Sequence, residues 1–147
     1  MSLKLETPRL FIRSWTDDDL SHYLTLAKDE GYNCFSTPGQ FPIEAEEAKK
    51  QIKARRQLFE FNGLGKFLVF EKETSELVGT CGLAPYVLEG HEEVELGYRL
   101  RLLSWGKGYA TESAKKILED GFKRIHLKRI LLLQFRKILH LLKSLKN

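Results

Sequence analysis

Two glycines placed two residues apart, immediately before a helical pattern, constrain this chain more than any other feature. They lie in Trp105-Gly106-Lys107-Gly108-Tyr109-Ala110-Thr111-Glu112. Glycine lets the backbone approach a bulky anion with no Cβ in the way. The first amides of the following helix point their unpaired hydrogens, and the positive end of the helix dipole, at the charge. The segment therefore predicts a turn–helix junction that binds phosphate; for Gly-x-Gly alone, a turn that caps an ordinary helix would suffice. The spacing excludes a P-loop, which needs Gly-x-x-x-x-Gly-Lys-Ser/Thr. It also excludes a dinucleotide fingerprint, which needs Gly-x-Gly-x-x-Gly and a later acidic residue.

The rest of the chain reads as alternating helices and strands. Leu10 and Ile12 alternate with Phe11 and Arg13, so residues 5–13 predict a half-buried first strand. Thr16 is a candidate N-cap for a helix reaching Ala27, with Asp17, Asp18 and Asp19 at its positive end. Capping accounts for the acidic triplet, and no chemistry is assigned to it. Ala45, Ala48, Ile52 and Leu58 mark a second helix from about Pro42 to Phe61, ending before Asn62-Gly63. Strands are expected over Lys66–Phe70, Leu77–Ala84 and Glu92–Leu100, joined by polar turns at 71–76 and Glu89-Gly90. Ala114, Ile117, Leu118 and Phe122 mark a helix from Thr111 to about Arg124.

With 147 residues, 42% hydrophobic and 30% charged, one core-bearing domain is expected. The net charge of +4 is concentrated towards the C-terminus without aromatic interleaving or a reader motif, which argues against nucleic acid. Cys34 and Cys81 have no metal or redox spacing, and His22, His91, His126 and His140 form no cluster, so no metal is expected. There is no signal-like N-terminus and no long apolar run before the tail. A cytoplasmic protein with free thiols and no membrane partner is the expectation.

The glycine segment resembles the pyrophosphate loop of the GNAT N-acetyltransferases, Gln/Arg-x-x-Gly-x-Gly/Ala. Trp105 stands at the first position, Gly108 at the fourth and Ala110 at the sixth. The longer run Trp-Gly-Lys-Gly-Tyr-Ala-Thr-Glu, together with Leu5-Glu6-Thr7-Pro8-Arg9-Leu10-Phe11-Ile12-Arg13, is similar to the RimJ/RimL-like branch that acetylates ribosomal-protein N-termini. The resemblance implies an α/β acyl-CoA acyltransferase fold, with a mostly antiparallel mixed sheet flanked by helices. It also implies acetyl-CoA as cosubstrate and a primary amine, such as a protein N-terminus, as acceptor. Tyr98, Arg99 and Leu100 would hold the pantetheine arm and acetyl carbonyl through main-chain amides. Trp105, Gly106, Lys107, Gly108, Tyr109, Ala110 and Thr111 would form the pyrophosphate loop.

Glu95, a short distance before those amides, is the candidate base, acting directly or through water. Orientation of the amine, or a solvent-facing position shared with Glu93, are the alternatives. Tyr98 and Tyr109 are expected to pack and not to act as acids. A CoA-binding or interaction protein without turnover on the same scaffold is the alternative function.

The resemblance stops after about Ile130, which divides the chain into a GNAT domain over 1–130, lacking its C-terminal strands, and a tail over 131–147. Combining the third base of each codon with the first two of the next permits, from Gln134 onward, Ile-Pro-Glu-Asn-Ser-Ala-Ser-Ile-Lys-Val-Leu-Glu-Lys. That run restores the family's missing Pro-Glu-Asn-x-x-Ser segment, so a one-nucleotide frame change near codons 130–133 is the expectation. Phe135, Ile138, Leu139, Leu142 and Leu145 also recur at helical spacing. A membrane-surface or partner-binding helix is one reading; with a frame change the pattern is accidental, which is the expectation, and a helix there would cover the core edge or pair with a second copy as a homodimer.

Overall fold

A computed structural model describes residues 2–133. The element order is β1 (Lys4–Glu6), β2 (Leu10–Arg13), α1 (Leu20–Lys28), α2 (Ala45–Asn62), β3 (Gly65–Glu71), β4 (Leu77–Leu88), β5 (His91–Leu100), a 3-10 turn (Leu102–Ser104) and α3 (Tyr109–Lys123). The strands form one antiparallel sheet in chain order. An antiparallel sheet flanked by helices is the architecture that the resemblance implies.

The sheet is covered on both faces. One face packs Leu10, Ile12, Phe67, Val69 and Leu96 against α3, whose Ala114, Ile117 and Leu118 are at most 1% exposed. Full burial of each large side chain there contributes roughly 1.5–3 kcal/mol. The helix periodicity continues onto Phe122, partly buried against this core, and Gly121 beside it is packed so closely that a Cβ there would lie 2.9 Å from Leu83 Cδ1. The other face packs Leu68, Phe70 and Leu77 against Tyr23 and Leu26 of α1 and Ala48 and Ile52 of α2. Gly63 caps α2 in the left-handed region at φ 78° and returns its amide to Phe59 O, as the Asn62-Gly63 signal requires.

Two expectations are corrected. Residues 5–13 form a hairpin and not a single strand: Thr7 N donates to Leu10 O at 2.9 Å, and Leu10 N returns to Thr7 Oγ1 at 2.9 Å. Pro8 sits inside that turn and has no amide to give a ladder. The first helix begins at Leu20, not after Thr16. Residues 16–19 form a turn around the Asp19 carboxylate, which accepts Thr16 N at 2.7 Å and, bidentately, Arg13 Nη1 and Nη2 at 2.8 and 2.7 Å. Asp19 is 2% exposed, and burying this pair outcompetes the simple cap.

Beyond α3, Leu131 makes a parallel bridge to Glu95. Leu96 N donates to Leu131 O at 2.9 Å, and Leu131 N donates to Val94 O at 2.8 Å. The sheet thus continues past the boundary drawn at 130. The tail helix expected over 135–145 lies outside the described residues.

Candidate active site

The glycine loop is built as the sequence implies. Gly106 and Gly108 have φ 75° and 80°, where an L side chain is strained. Gly108 is the N-cap of α3, with no side-chain capping bond. The first intrahelical bond runs from Glu112 N to Gly108 O at 3.1 Å, so the amides of Tyr109, Ala110 and Thr111 lie ahead of the helix's own ladder. A Cβ at Gly106 would meet nothing within 4 Å, which leaves open space above the loop.

Long-range bonds fix this junction. Glu112, in the first turn of α3, accepts Thr7 Oγ1 at 2.5 Å, Arg9 N at 2.9 Å and Arg9 Nε at 2.7 Å. Burial raises its pKa, but these bonds outweigh burial and hold it below the ordinary carboxylate value. The Tyr109 ring turns away from the loop: it is 6% exposed and its hydroxyl donates to Glu71 Oε2 at 2.5 Å. That bond, together with partial burial, pushes the Tyr109 hydroxyl up. Tyr109 therefore packs, as expected of it, with the Lys107 ammonium of the loop 5.9 Å from its ring centroid.

A cleft of about 720 Å³ runs from the loop to the end of β5. Tyr98, Arg99, Leu100, Trp105, Gly106 and Ala110 line it, facing Tyr32 and Phe35 of the α1–α2 connection. Lys107, Gly108, Tyr109 and Thr111 lie outside the lining, in the loop and first helical turn. The Trp105 indole donates to Leu100 O at 3.0 Å, tying loop to strand. Leu96 turns its amide outward to Leu131, and main-chain direction alternates along an antiparallel strand. Tyr98 and Leu100 accordingly share that outward edge, whereas Arg99 directs its main chain at Thr80 of β4. What Arg99 brings to the cleft is its side chain, whose Nη1 donates to Ser36 Oγ at 2.8 Å and Tyr32 O at 3.3 Å.

A second cleft of about 280 Å³ shares Tyr32, Tyr98 and Arg99 with the first and adds Phe41, Arg55, Lys66, Thr80, Glu95 and Gly97. Glu95, Gly97 and Arg99 share a face by strand alternation, and Glu95 stands beside the cofactor-sized cleft. Glu93 is engaged elsewhere: Arg129 Nε donates to its Oε2 at 2.8 Å and Arg129 Nη2 to its Oε1, which lowers its pKa. Tyr32, Phe35 and Phe41 supply the aromatic wall of the two clefts, and sequence reasoning missed Arg55 and Lys66. Two signals were available for Lys66. It is the one charge within the apolar run from Leu64 to Phe70, and Gly82 and Gly97 mark close approach on the adjoining strands.

Residues 9–134 match the family described as Acetyltransferase (GNAT) domain. Among curated proteins, the chain is similar to the uncharacterized N-acetyltransferase p20 of Bacillus licheniformis, at 27% identity over 128 residues, 87% of this chain and 64% of that protein. The chain thus spans less than two thirds of that relative's length. Among solved structures, RimL, a ribosomal L7/L12 alpha-N-protein acetyltransferase in complex with coenzyme A, superposes with a TM-score of 0.75 at 13% identity, covering 97% of this chain and 82% of that one. The ribosomal-protein-S5-alanine acetyltransferase of Vibrio fischeri gives 0.71 at 20%, covering 97% and 81%. At these identities the structural likeness concerns the fold alone.

Proposed function

This chain belongs to the acetyltransferase (GNAT) domain family, and from that premise we propose that it moves an acetyl group from acetyl-CoA to a primary amine by direct attack. The observation that carries this reading is the large cleft that runs from Gly106 and Ala110, at the N-terminus of α3, to Tyr98–Leu100 of β5, and shares Tyr32, Tyr98 and Arg99 with the smaller cleft that Glu95 lines. The residues fit the cosubstrate. Two positive-φ glycines, open space above Gly106 and unladdered amides suit a pyrophosphate, and an extended strand edge suits an amide-bearing arm.

In this reading the loop at Gly106–Thr111 binds the pyrophosphate, and the Tyr98 and Leu100 main chain orients the arm and acetyl carbonyl. Acetyl-CoA supplies an activated thioester. Glu95 takes the proton from the attacking amine, directly or through water, as the nitrogen–carbon bond forms and the carbon–sulfur bond breaks. The Tyr109 hydroxyl is committed to Glu71 and plays no part. The acceptor is a primary amine, either a protein N-terminal α-amine, to which the RimJ/RimL-like motif points, or a small amine.

Calorimetric binding of acetyl-CoA and release of free thiol with an amine test this function. Glu95→Gln should keep acetyl-CoA affinity and lower turnover by at least about 10²-fold, the lower range for general base catalysis. Binding without turnover in the parent chain would favour the CoA-binding alternative, and no binding would refute the reading. The frame change near codons 130–133 is tested separately by sequencing the DNA across that junction: an alternative frame that lacks the Pro-Glu-Asn-x-x-Ser run removes it.

A further inference from the structure

The smaller cleft carries a charge pattern that amine binding alone does not require. Lys66 leaves β3 opposite Gly82 of β4, which in turn pairs with Gly97 of β5. Neither glycine has a side chain to block the path, so the lysine extends across β4. A Cβ placed on Gly97 would lie 2.2 Å from Lys66 Nζ. The ammonium thus sits over β5, two residues from Glu95 on the same face. Burial lowers the Lys66 pKa, and Glu95 works against that shift.

Two more cations close the cleft. Arg55, on α2, stands 4.8 Å from the Trp15 ring centroid, 5.3 Å from Tyr23 and 5.9 Å from Phe41. Arg99 stands 5.1 Å from the Phe41 ring centroid, and its guanidinium donates to the neutral oxygens of Ser36 and Tyr32. Among the described residues, Glu95 is the one carboxylate that lines the cleft, against Arg55, Lys66 and Arg99. Partly buried charges are costly unless opposed, and here three cations face one anion. A positively charged ammonium substrate would add to the excess, unless it brought a negative charge with it.

We propose that the acceptor carries a carboxylate close to its amine, received by Lys66, Arg55 and Arg99 while Glu95 faces the amine. The argument rests on the acceptor side lying in this cleft, as the proposed function has it, and narrows the acceptor to amino-acid-like amines. Tyr32 and Phe41 form its apolar wall and favour an aromatic or aliphatic side chain. Lys66 and Arg55 are specificity-determining positions, and Arg99 links them to the cofactor-sized cleft with which it is shared.

The test compares phenylalanine with phenylalaninamide, which share side chain and amine but differ in the carboxylate. Binding to the full chain is measured by calorimetry in the presence of coenzyme A, so that no turnover is needed. The acid is expected to bind at least ten-fold more tightly than the amide. Lys66→Met should erase most of that ratio by weakening acid binding alone, and Lys66→Arg should restore it. Gly97→Ala, which displaces the lysine head without removing its charge, should reduce the ratio in the same direction and serves if Lys66→Met fails to fold. Equal or tighter binding of the amide overturns the proposal, as does an unchanged ratio in both Lys66→Met and Gly97→Ala. A peptide amide with N-terminal phenylalanine and acidic second residue, bound ten-fold tighter than free phenylalanine, would overturn the amino-acid-like acceptor in favour of a protein terminus. Failure of acetyl-CoA to bind would sink the proposed function, and the acid–amide ratio would still decide this inference.

Discussion

Replacing Gly108 by alanine tests the physical reasoning about the loop most directly. Gly108 has φ 80°, and an L residue held there costs about 1–2 kcal/mol. Space is not the obstacle: the new Cβ would lie 3.3 Å from Arg9 Nη2, the far end of a flexible side chain that can give. The strain can be expressed in two ways. If the loop keeps its conformation, Gly108→Ala loses about 1–2 kcal/mol of stability and acetyl-CoA affinity changes little. If the free loop relaxes to negative φ, stability is spared, but the ligand must restore the loop, and affinity falls about 5- to 30-fold for the same energy. The sum of the two losses is therefore fixed near the strain energy, however it divides. Urea unfolding of the free protein and calorimetry with acetyl-CoA measure both parts. A variant that keeps both stability and affinity would refute the assignment of a strained, ligand-bearing glycine at 108.

Other perturbations follow from the same structure. Asp19→Ala removes a bidentate partner from Arg13 and a 2.7 Å acceptor from Thr16 N. Because Arg13 remains a quarter exposed, the cost should fall at the low end for a broken buried pair, about 3 kcal/mol, or about 6–12 °C in thermal midpoint for a chain of this size. A loss under about 1 kcal/mol would show that solvent already screens the pair. The pH dependence has a definite sign. Burial raises the Asp19 pKa, but its bonds to Arg13, His22 and Thr16 outweigh that and place it well below the ordinary 3.8. Its contribution is thus complete above pH 3.8 and drains away as pH falls through the lowered folded value. Asp19→Asn should lose stability at pH 7 and show a shallower acid limb than the parent in urea titrations at several pH values. At the alkaline end, burial pushes the Cys81 thiol from 9.0 up to about 11, so its contribution is complete below pH 9 and fades between those values. Cys81→Ser should flatten that part of the curve.

Where the signal was local, the sequence was sufficient. The Gly106–Gly108 spacing permits a left-handed turn before α3, because glycine adopts positive φ without steric cost, and both glycines use that freedom. The periodicity at Ala114, Ile117 and Leu118 requires one buried stripe, and alternation at Leu10 and Ile12 requires two inward residues. Local chemistry also indicated the helix stop at Asn62-Gly63 and the hairpin turn at Glu89-Gly90. It did not set the start of the first helix, because the competing use of Asp19 depends on Arg13, six residues away in sequence and brought close only by the end of β2. Nor could it show that residues 5–13 double back, since an isolated alternation does not reveal which strand is its partner.

The composition of the smaller cleft was decided by tertiary structure alone. Lys66, Gly82 and Gly97 lie far apart along the chain and meet because β3, β4 and β5 pair in one register; a slip of one residue would turn Lys66 to the opposite face. Arg55 joins them only because α2 packs over that face. Sequence determined the loop, where conformational freedom belongs to single residues. Tertiary structure determined the electrostatics, because charge acts through space and only the assembled sheet sets the distances.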